Sequence, residues 1–154
     1  LLPRLLELQR KAIQKHQQQL LASLNQACSA LVPIFPVLRD VQPAHVLFHK
    51  REVAGFIDVG AMRFDSPMAD LARLLCRWRF TEPAWYADGL EAYQSIRPFA
   101  ENEPSVYAAY DYSARLLTGV QWLRWLVIEE RKFANPALVN QHLRRVERDL
   151  ELLL

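Results

Sequence analysis

The chain has 154 residues and a formal net charge of +2; 51% of its residues are hydrophobic and 23% are charged. This balance is typical of one soluble globular domain and lacks the strongly basic character of nucleic-acid-binding proteins. No apolar run approaches the ~20 residues that a transmembrane helix requires. The two cysteines, Cys28 and Cys76, fit neither a metal-binding spacing nor a disulfide framework. We therefore expect a cytoplasmic domain that binds neither nucleic acid nor a membrane.

The first element is predicted to be a long amphipathic helix over residues 5–32. Apolar residues, among them Leu5, Ala12 and Leu20, recur there at steps of three and four. Pro33 and Pro36 then end the helix and start an extended segment. Because the chain begins without methionine, we expect it to be part of a longer protein.

Two short strands are predicted next, at Val46–Phe48 and Val53–Ile57, paired as a hairpin across the polar segment His49–Glu52. Asp40 precedes the first strand and Asp58 follows the second, so the hairpin would bring both carboxylates to the same end. Two carboxylates that meet there could act as a general base and a metal anchor, as phosphoryl transfer requires. Either residue could instead be an ordinary turn residue or helix cap.

Helices are predicted for the rest of the chain, over residues 67–80, 82–97, 104–133 and 136–154, with a break in the third allowed near Gly119. Proline lies in the first turn of several, where its missing N–H costs nothing. No repeat or flexible linker is visible. The fold class is therefore mainly α (α+β): a single domain over residues 1–154 with one small β-hairpin near its start.

Three motifs resemble those of a known family. They read Asp40-Val-Gln-Pro-Ala-His45-Val-Leu-Phe, then Val53-Ala-Gly-Phe-Ile-Asp58-Val-Gly, then Asp70-Leu-Ala-Arg-Leu-Leu75. Their order and separation resemble the C-terminal lobe of the aminoglycoside phosphotransferase-like kinases, a superfamily with a protein-kinase-like fold that includes choline and homoserine kinases. The usual family motifs are H-G-D-x-x-x-x-N, then I-D-F-G or I-D-W-E, then D-x-A. The similarity covers positions 38 to about 75.

The resemblance implies a role for each matched residue. Asp40 matches the catalytic aspartate that orients the acceptor hydroxyl and takes its proton. Asp58 matches the aspartate that binds Mg²⁺ against the phosphates of ATP. His45 stands where the family has an asparagine that binds a second metal ion, and Asp70 matches an acidic residue that supports the loops. Leu38 replaces the first histidine of the motif, a loss that apolar packing could compensate.

The cofactors implied by the resemblance are ATP and Mg²⁺. Mg²⁺ prefers oxygen ligands, whereas imidazole suits Mn²⁺, Zn²⁺ and similar ions better, so His45 makes Mn²⁺ possible. Alternatively, His45 contacts a phosphate or the base Asp40. If His45 alters the second metal site, we expect the phosphotransferase activity to be lowered or shifted towards another metal.

The partners implied by the resemblance are a small-molecule acceptor with a hydroxyl group and an N-terminal lobe of the same protein. Kinases of this fold bind ATP between two lobes, and the first lobe carries a strand lysine and a glycine-rich or equivalent loop. This chain has four glycines, none of them clustered, and no predicted strand before residue 33. We therefore expect the ATP-binding lobe to lie outside it. Two alternatives remain open: a catalytically degraded, pseudokinase-like binding module, and a helical interaction domain whose motifs match by accident.

Aromatic residues recur on the later predicted helices. Because large aromatic side chains usually fill hydrophobic cores, we predict that they are core residues, with a wall of the acceptor cleft as the alternative. The set is Trp78, Trp85, Tyr86, Trp122, Trp125 and Phe133.

Overall fold

The computed structural model describes all residues from 1 to 154 and is 67% helical, which confirms the mainly α fold class. Five helices carry the fold: α1 (Leu2–Ser29), α2 (Met68–Leu75), α3 (Pro83–Ile96), α4 (Glu103–Leu123) and α5 (Pro136–Leu153). Four short strands accompany them: β1 (Phe35–Val37), β2 (Val46–His49), β3 (Glu52–Phe56) and β4 (Arg63–Asp65). None of the helices combines the length and the apolar character needed to span a bilayer.

The chain divides into two compact units. One consists of residues 23–111; the other combines residues 1–22 with residues 112–154. The expectation of a single domain stays a prediction.

The predicted hairpin is present in the unit of residues 23–111. Strands β2 and β3 pair antiparallel, with Val46 opposite Phe56 and His49 opposite Glu52. The connecting turn places Lys50 in the left-handed region, at φ 56°. A bulge after Leu47 shifts the register, which increases the local twist of the strands.

A second two-stranded sheet was not predicted. Strand β1 pairs antiparallel with β4, and Pro36 lies opposite Phe64. Proline lacks a backbone N–H and is therefore confined to edge strands, which a two-stranded sheet provides. The pairing joins segments about 28 residues apart, with Phe35 opposite Asp65 and Val37 opposite Arg63.

The hydrophobic core of the same unit is built around α2. The fully buried side chains come from one face of α2 and from α4, and partly buried aromatic residues pack against them. They are Met68, Leu71, Ala72, Leu75, Val106 and Tyr107. Their spacing on α2 is three and four residues, as expected for a helix with one face in the core.

In the other unit, the structure explains the position of a glycine. A Cβ atom on Gly119 would lie only 2.1 Å from the Gln9 side-chain oxygen. Gln9 is buried and donates from Nε2 to the backbone oxygen of Leu116, 2.7 Å away. Gly119 thus allows the close approach of α1 to α4. The chain stays helical through this glycine, so the allowed break does not occur there.

Two helix boundaries differ from the prediction. The helix expected to reach residue 80 ends at Leu75 and continues as a short 3₁₀ turn over Cys76–Trp78. The helix expected to reach residue 133 ends at Leu123, followed by a π-helical turn over Arg124–Ile128. A 3₁₀ turn tightens the end of a helix and a π turn widens it. Neither segment contains a proline or glycine from which the end of the helix could have been predicted.

The expectation that the aromatic residues form a core was wrong for Trp85, which is 60% exposed. Trp78 contacts it edge to face and is only partly buried. In the other unit, Trp122 packs against Trp125, Phe133 and His142. Trp78 and Tyr86 pack against the hydrophobic core around α2, and Trp122, Trp125, Phe133 and His142 are each partly buried.

Candidate active site

The loop that carries Asp40 is fixed at several points. It follows β1, whose last residue Val37 is buried, and the side chain of Val41 is buried as well. Between them, the Asp70 carboxylate accepts hydrogen bonds from the backbone N–H groups of Leu38 (2.6 Å) and Arg39 (2.8 Å). Asp70 thus ties the loop to the first turn of α2, in agreement with the supporting role expected for it.

This bracing holds Arg39 in an unfavourable backbone conformation. Its φ is 63°, in the left-handed region, which costs a residue with a Cβ atom about 1–2 kcal/mol. The two hydrogen bonds that the loop N–H groups donate to Asp70 offset that cost, and the Arg39 guanidinium also lies 3.7 Å from the Asp65 carboxylate. The geometry of the Asp40 loop is therefore determined by its surroundings.

The hairpin brings His45 and Asp58 together. His45 directly precedes β2, and Asp58 lies two residues beyond β3. The Ile57 N–H donates to the His45 carbonyl, 2.9 Å away, which extends the pairing beyond the strands. As a result, His45 Nε2 lies 3.7 Å from Asp58 Oδ2. The predicted hairpin is thus confirmed, and its open end places His45 beside Asp58.

Asp58 does not cap the turn that follows it. It precedes a short 3₁₀ turn over Val59–Ala61, but its side chain makes no capping hydrogen bond to that turn. Its φ is 59° and its ψ is 48°, so it too has the left-handed conformation. The carboxylate is about two-thirds exposed and faces His45. It is therefore accessible to a ligand from solution.

Asp40 has two polar neighbours that the sequence did not point to. Gln42 Nε2 donates to Asp40 Oδ1 at 3.0 Å, and Arg73 Nη1 lies 3.9 Å from the same oxygen. Arg73 follows Asp70 by three residues on α2, so the two share a helix face, and this spacing was the available signal. The other carboxylate oxygen of Asp40 is free to accept a proton or bind a cation.

The structure shows how His45 contacts Asp40. Its Nδ1 lies 2.8 Å from the backbone oxygen of Asp40, so it contacts the Asp40 residue but not its carboxylate. One ligand atom from each of Asp40, His45 and Asp58 lies within 4.8 Å of the others. Carboxylate oxygen and imidazole nitrogen are donors that divalent cations accept, so this group is a candidate metal site.

Comparison with known proteins identifies the family. No curated protein and no solved structure matched the chain. A family profile did match: that of the phosphotransferase enzyme family, APH, over residues 1–110. The matched region contains all three sequence motifs and the site formed by Asp40, His45 and Asp58. The chain belongs to the phosphotransferase enzyme family.

Proposed function

We propose that this protein is an ATP-dependent small-molecule kinase that transfers the γ-phosphoryl group to an acceptor hydroxyl. One observation carries the proposal. In a chain of the phosphotransferase enzyme family, Asp40, His45 and Asp58 converge within 4.8 Å on a braced loop and a hairpin end. Phosphoryl transfer depends mainly on positioning and on charge stabilisation, and such a rigid set of groups can provide both.

Asp40 is proposed to act on the acceptor. Its carboxylate would accept a hydrogen bond from the hydroxyl and orient the oxygen towards the γ-phosphorus. As the new P–O bond forms, the bond between the γ-phosphorus and the β,γ-bridging oxygen breaks, ADP leaves with that bonding pair, and the hydroxyl proton passes to Asp40. The hydrogen bond from Gln42 occupies only Oδ1 and so leaves Oδ2 for this task.

Asp58 and His45 are proposed to hold the divalent cation. A cation bound there would neutralise phosphate charge and favour departure of ADP. The chain supplies a site of net negative charge, since Asp40 and Asp58 face one nearby cationic side chain, Arg73. The left-handed backbone at Asp58 fixes where its carboxylate is presented.

The nucleotide is proposed to bind with the help of a further lobe of the same protein, which would carry the lysine and the phosphate-binding loop. Apolar side chains of the hairpin support this part of the proposal. Leu47, Phe48, Val53 and Phe56 are all between 44% and 63% exposed. Contiguous exposed apolar surface of this kind commonly marks a contact with another domain or partner.

The test is phosphoryl transfer from labelled ATP to a panel of hydroxyl compounds: aminoglycosides, choline and homoserine. The native protein, together with the further lobe proposed above, is compared with Asp40→Asn and with Asp88→Asn, a control on the exposed side of α3. We expect Asp40→Asn to lower transfer about 10²–10⁴-fold, as for loss of a general base, while ATP still binds. If Asp40→Asn transfers phosphate as fast as the native protein does, its proposed role is wrong. If the native protein binds ATP without any transfer, the pseudokinase-like alternative replaces the kinase.

A further inference from the structure

The protonation of His45 follows from one hydrogen bond. Its Nδ1 lies 2.8 Å from the Asp40 backbone oxygen, and a carbonyl oxygen can only accept. Nδ1 therefore carries a hydrogen, and in a neutral imidazole the lone pair is on Nε2. A hydrogen bond of this type on one ring nitrogen is what orients a histidine that binds a metal through the other.

That second nitrogen faces a carboxylate. Nε2 lies 3.7 Å from Asp58 Oδ2, which is too long for a hydrogen bond. Two ligand atoms that each lie about 2.1 Å from one ion can be up to about 4 Å apart. The separation thus fits two ligands of the same cation, and one carboxylate oxygen of Asp40 lies within 4.8 Å of both.

The donor set also indicates which cation fits. Imidazole nitrogen binds first-row transition ions well, whereas Mg²⁺ prefers oxygen and keeps much of its water. Carboxylate oxygen suits Mn²⁺ as well as Mg²⁺, so imidazole is the donor that separates these two ions. We infer that this site binds Mn²⁺ in preference to Mg²⁺, with His45 Nε2 as a direct ligand. The inference deepens the proposed function, on whose metal site it rests.

The experiment is a titration of the protein with Mn²⁺, without nucleotide, in which electron paramagnetic resonance measures free Mn²⁺. Mg²⁺ affinity is then obtained by displacement of bound Mn²⁺. Pulsed measurements of the same samples detect coupling of Mn²⁺ to an imidazole nitrogen. The variants are His45→Asn, His45→Gln and Asp58→Asn. His49→Asn is the matched control, because His49 is exposed at the other end of β2.

We expect His45→Asn to weaken Mn²⁺ binding about tenfold or more, the scale typical of changes around a metal ligand. Mg²⁺ binding should change by less than about threefold, since the amide offers an oxygen instead. The nitrogen coupling should be present in the native protein and in His49→Asn and absent from His45→Asn. His45→Gln, which retains both an amide N–H and an oxygen, should show the same shift in preference if His45→Asn fails to fold.

Two results would overturn the inference. One is an unchanged ratio of Mn²⁺ to Mg²⁺ affinity in both His45 variants. The other is bound Mn²⁺ without nitrogen coupling, which would make His45 an ion-pair partner of Asp58. In either case, if Asp58→Asn abolishes Mn²⁺ binding, the proposed metal site at Asp58 and the proposed function are still supported. Absence of any Mn²⁺ or Mg²⁺ binding by the native protein would contradict both the inference and the proposed metal site.

Discussion

The Asp40 loop should depend on Asp70, and Asp70→Asn tests this with almost no change of shape. The native carboxylate accepts from the Leu38 and Arg39 N–H groups at 2.6 and 2.8 Å. An asparagine has one oxygen, so one N–H would instead face an amide NH₂ group, a second donor. Both backbone groups lose a charged acceptor, and the Arg39 conformation at φ 63° loses its support.

The expected cost can be estimated from these contacts. A hydrogen bond to a charged group contributes about 1.5–3 kcal/mol, and one of the two is lost outright. The other becomes a neutral hydrogen bond and weakens by roughly 1 kcal/mol. A negative charge also disappears from the first turn of α2, where the helix dipole favours it by about 0.3–1 kcal/mol. We expect a total loss of about 3–5 kcal/mol, no more than the lower end of the 5–15 kcal/mol typical of a folded domain.

Urea unfolding measures the total loss of stability. Amide hydrogen exchange shows which backbone N–H groups lose their protection. The Leu38 and Arg39 amides should exchange at least about tenfold faster in Asp70→Asn, since 1.4 kcal/mol corresponds to a factor of ten in opening. Asp88→Asn, on the exposed side of α3, should leave both quantities unchanged. The reasoning is refuted if the two amides keep their native protection in Asp70→Asn, or if its stability equals that of the control.

Three further predictions concern stability and are checked by urea unfolding at several pH values. Burial raises the pKa of Asp149 to about 6, although Arg145 and other arginines oppose the shift. Because the folded state holds this proton more tightly, stability should fall as pH rises from about 4 to 6. Asp149→Asn should stabilise by about 1–2 kcal/mol at pH 7, discounted for partial exposure, and by nothing near pH 3. An equal gain at both pH values would contradict this. In Gly119→Ala, the contact of the new Cβ with the Gln9 oxygen at 2.1 Å should cost about 1–3 kcal/mol, against about 1 kcal/mol gained from the helix propensity of alanine, for a net loss of about 0–2 kcal/mol. A net gain of about 1 kcal/mol, the effect of helix propensity alone, would disprove the close approach. Glu103 is fully buried and pairs with Arg97 at 2.7 Å. Burial raises the pKa of the Glu103 carboxyl, but the hydrogen bonds that it accepts from Arg97 and from the Ala100 N–H outweigh burial, so the pKa lies below its usual value. Glu103→Gln should therefore cost about 3–5 kcal/mol at pH 7, and the difference should shrink as acid protonates the native carboxylate. A pH-independent difference would contradict the pairing.

The sequence predicted the local part of the site well. The β2–β3 hairpin involves neighbouring segments with apolar, β-prone residues on both sides of a polar turn, so its pairing could be inferred without tertiary information. That pairing led to the expectation that Asp40 and Asp58 meet at one end of the hairpin, and one carboxylate oxygen of each lies within 4.8 Å of the other. The role of Asp70 came from the family resemblance, and the two hydrogen bonds now supply its physical basis.

The non-local parts were beyond prediction. Strands β1 and β4 have three residues each and pair across about 28 positions, so neither carries a pattern strong enough to identify. The proximity of Arg73 to Asp40 depends on where α2 lies relative to the loop, which the Asp70 contacts determine. The exposure of Trp85 depends on which neighbours cover α3, and residue type alone does not give that information.

The central claim is that Asp58 belongs to a metal-dependent nucleotide site. The most direct measurement is calorimetric titration with ATP of the protein together with the further lobe proposed above, in the presence of Mg²⁺, of Mn²⁺, and of neither ion. Asp58→Asn is the test variant and Asp88→Asn the control. We predict ATP binding that requires a divalent ion, persists in Asp88→Asn and disappears in Asp58→Asn. Absence of ATP binding under every condition, or binding that Asp58→Asn leaves intact, would contradict the claim.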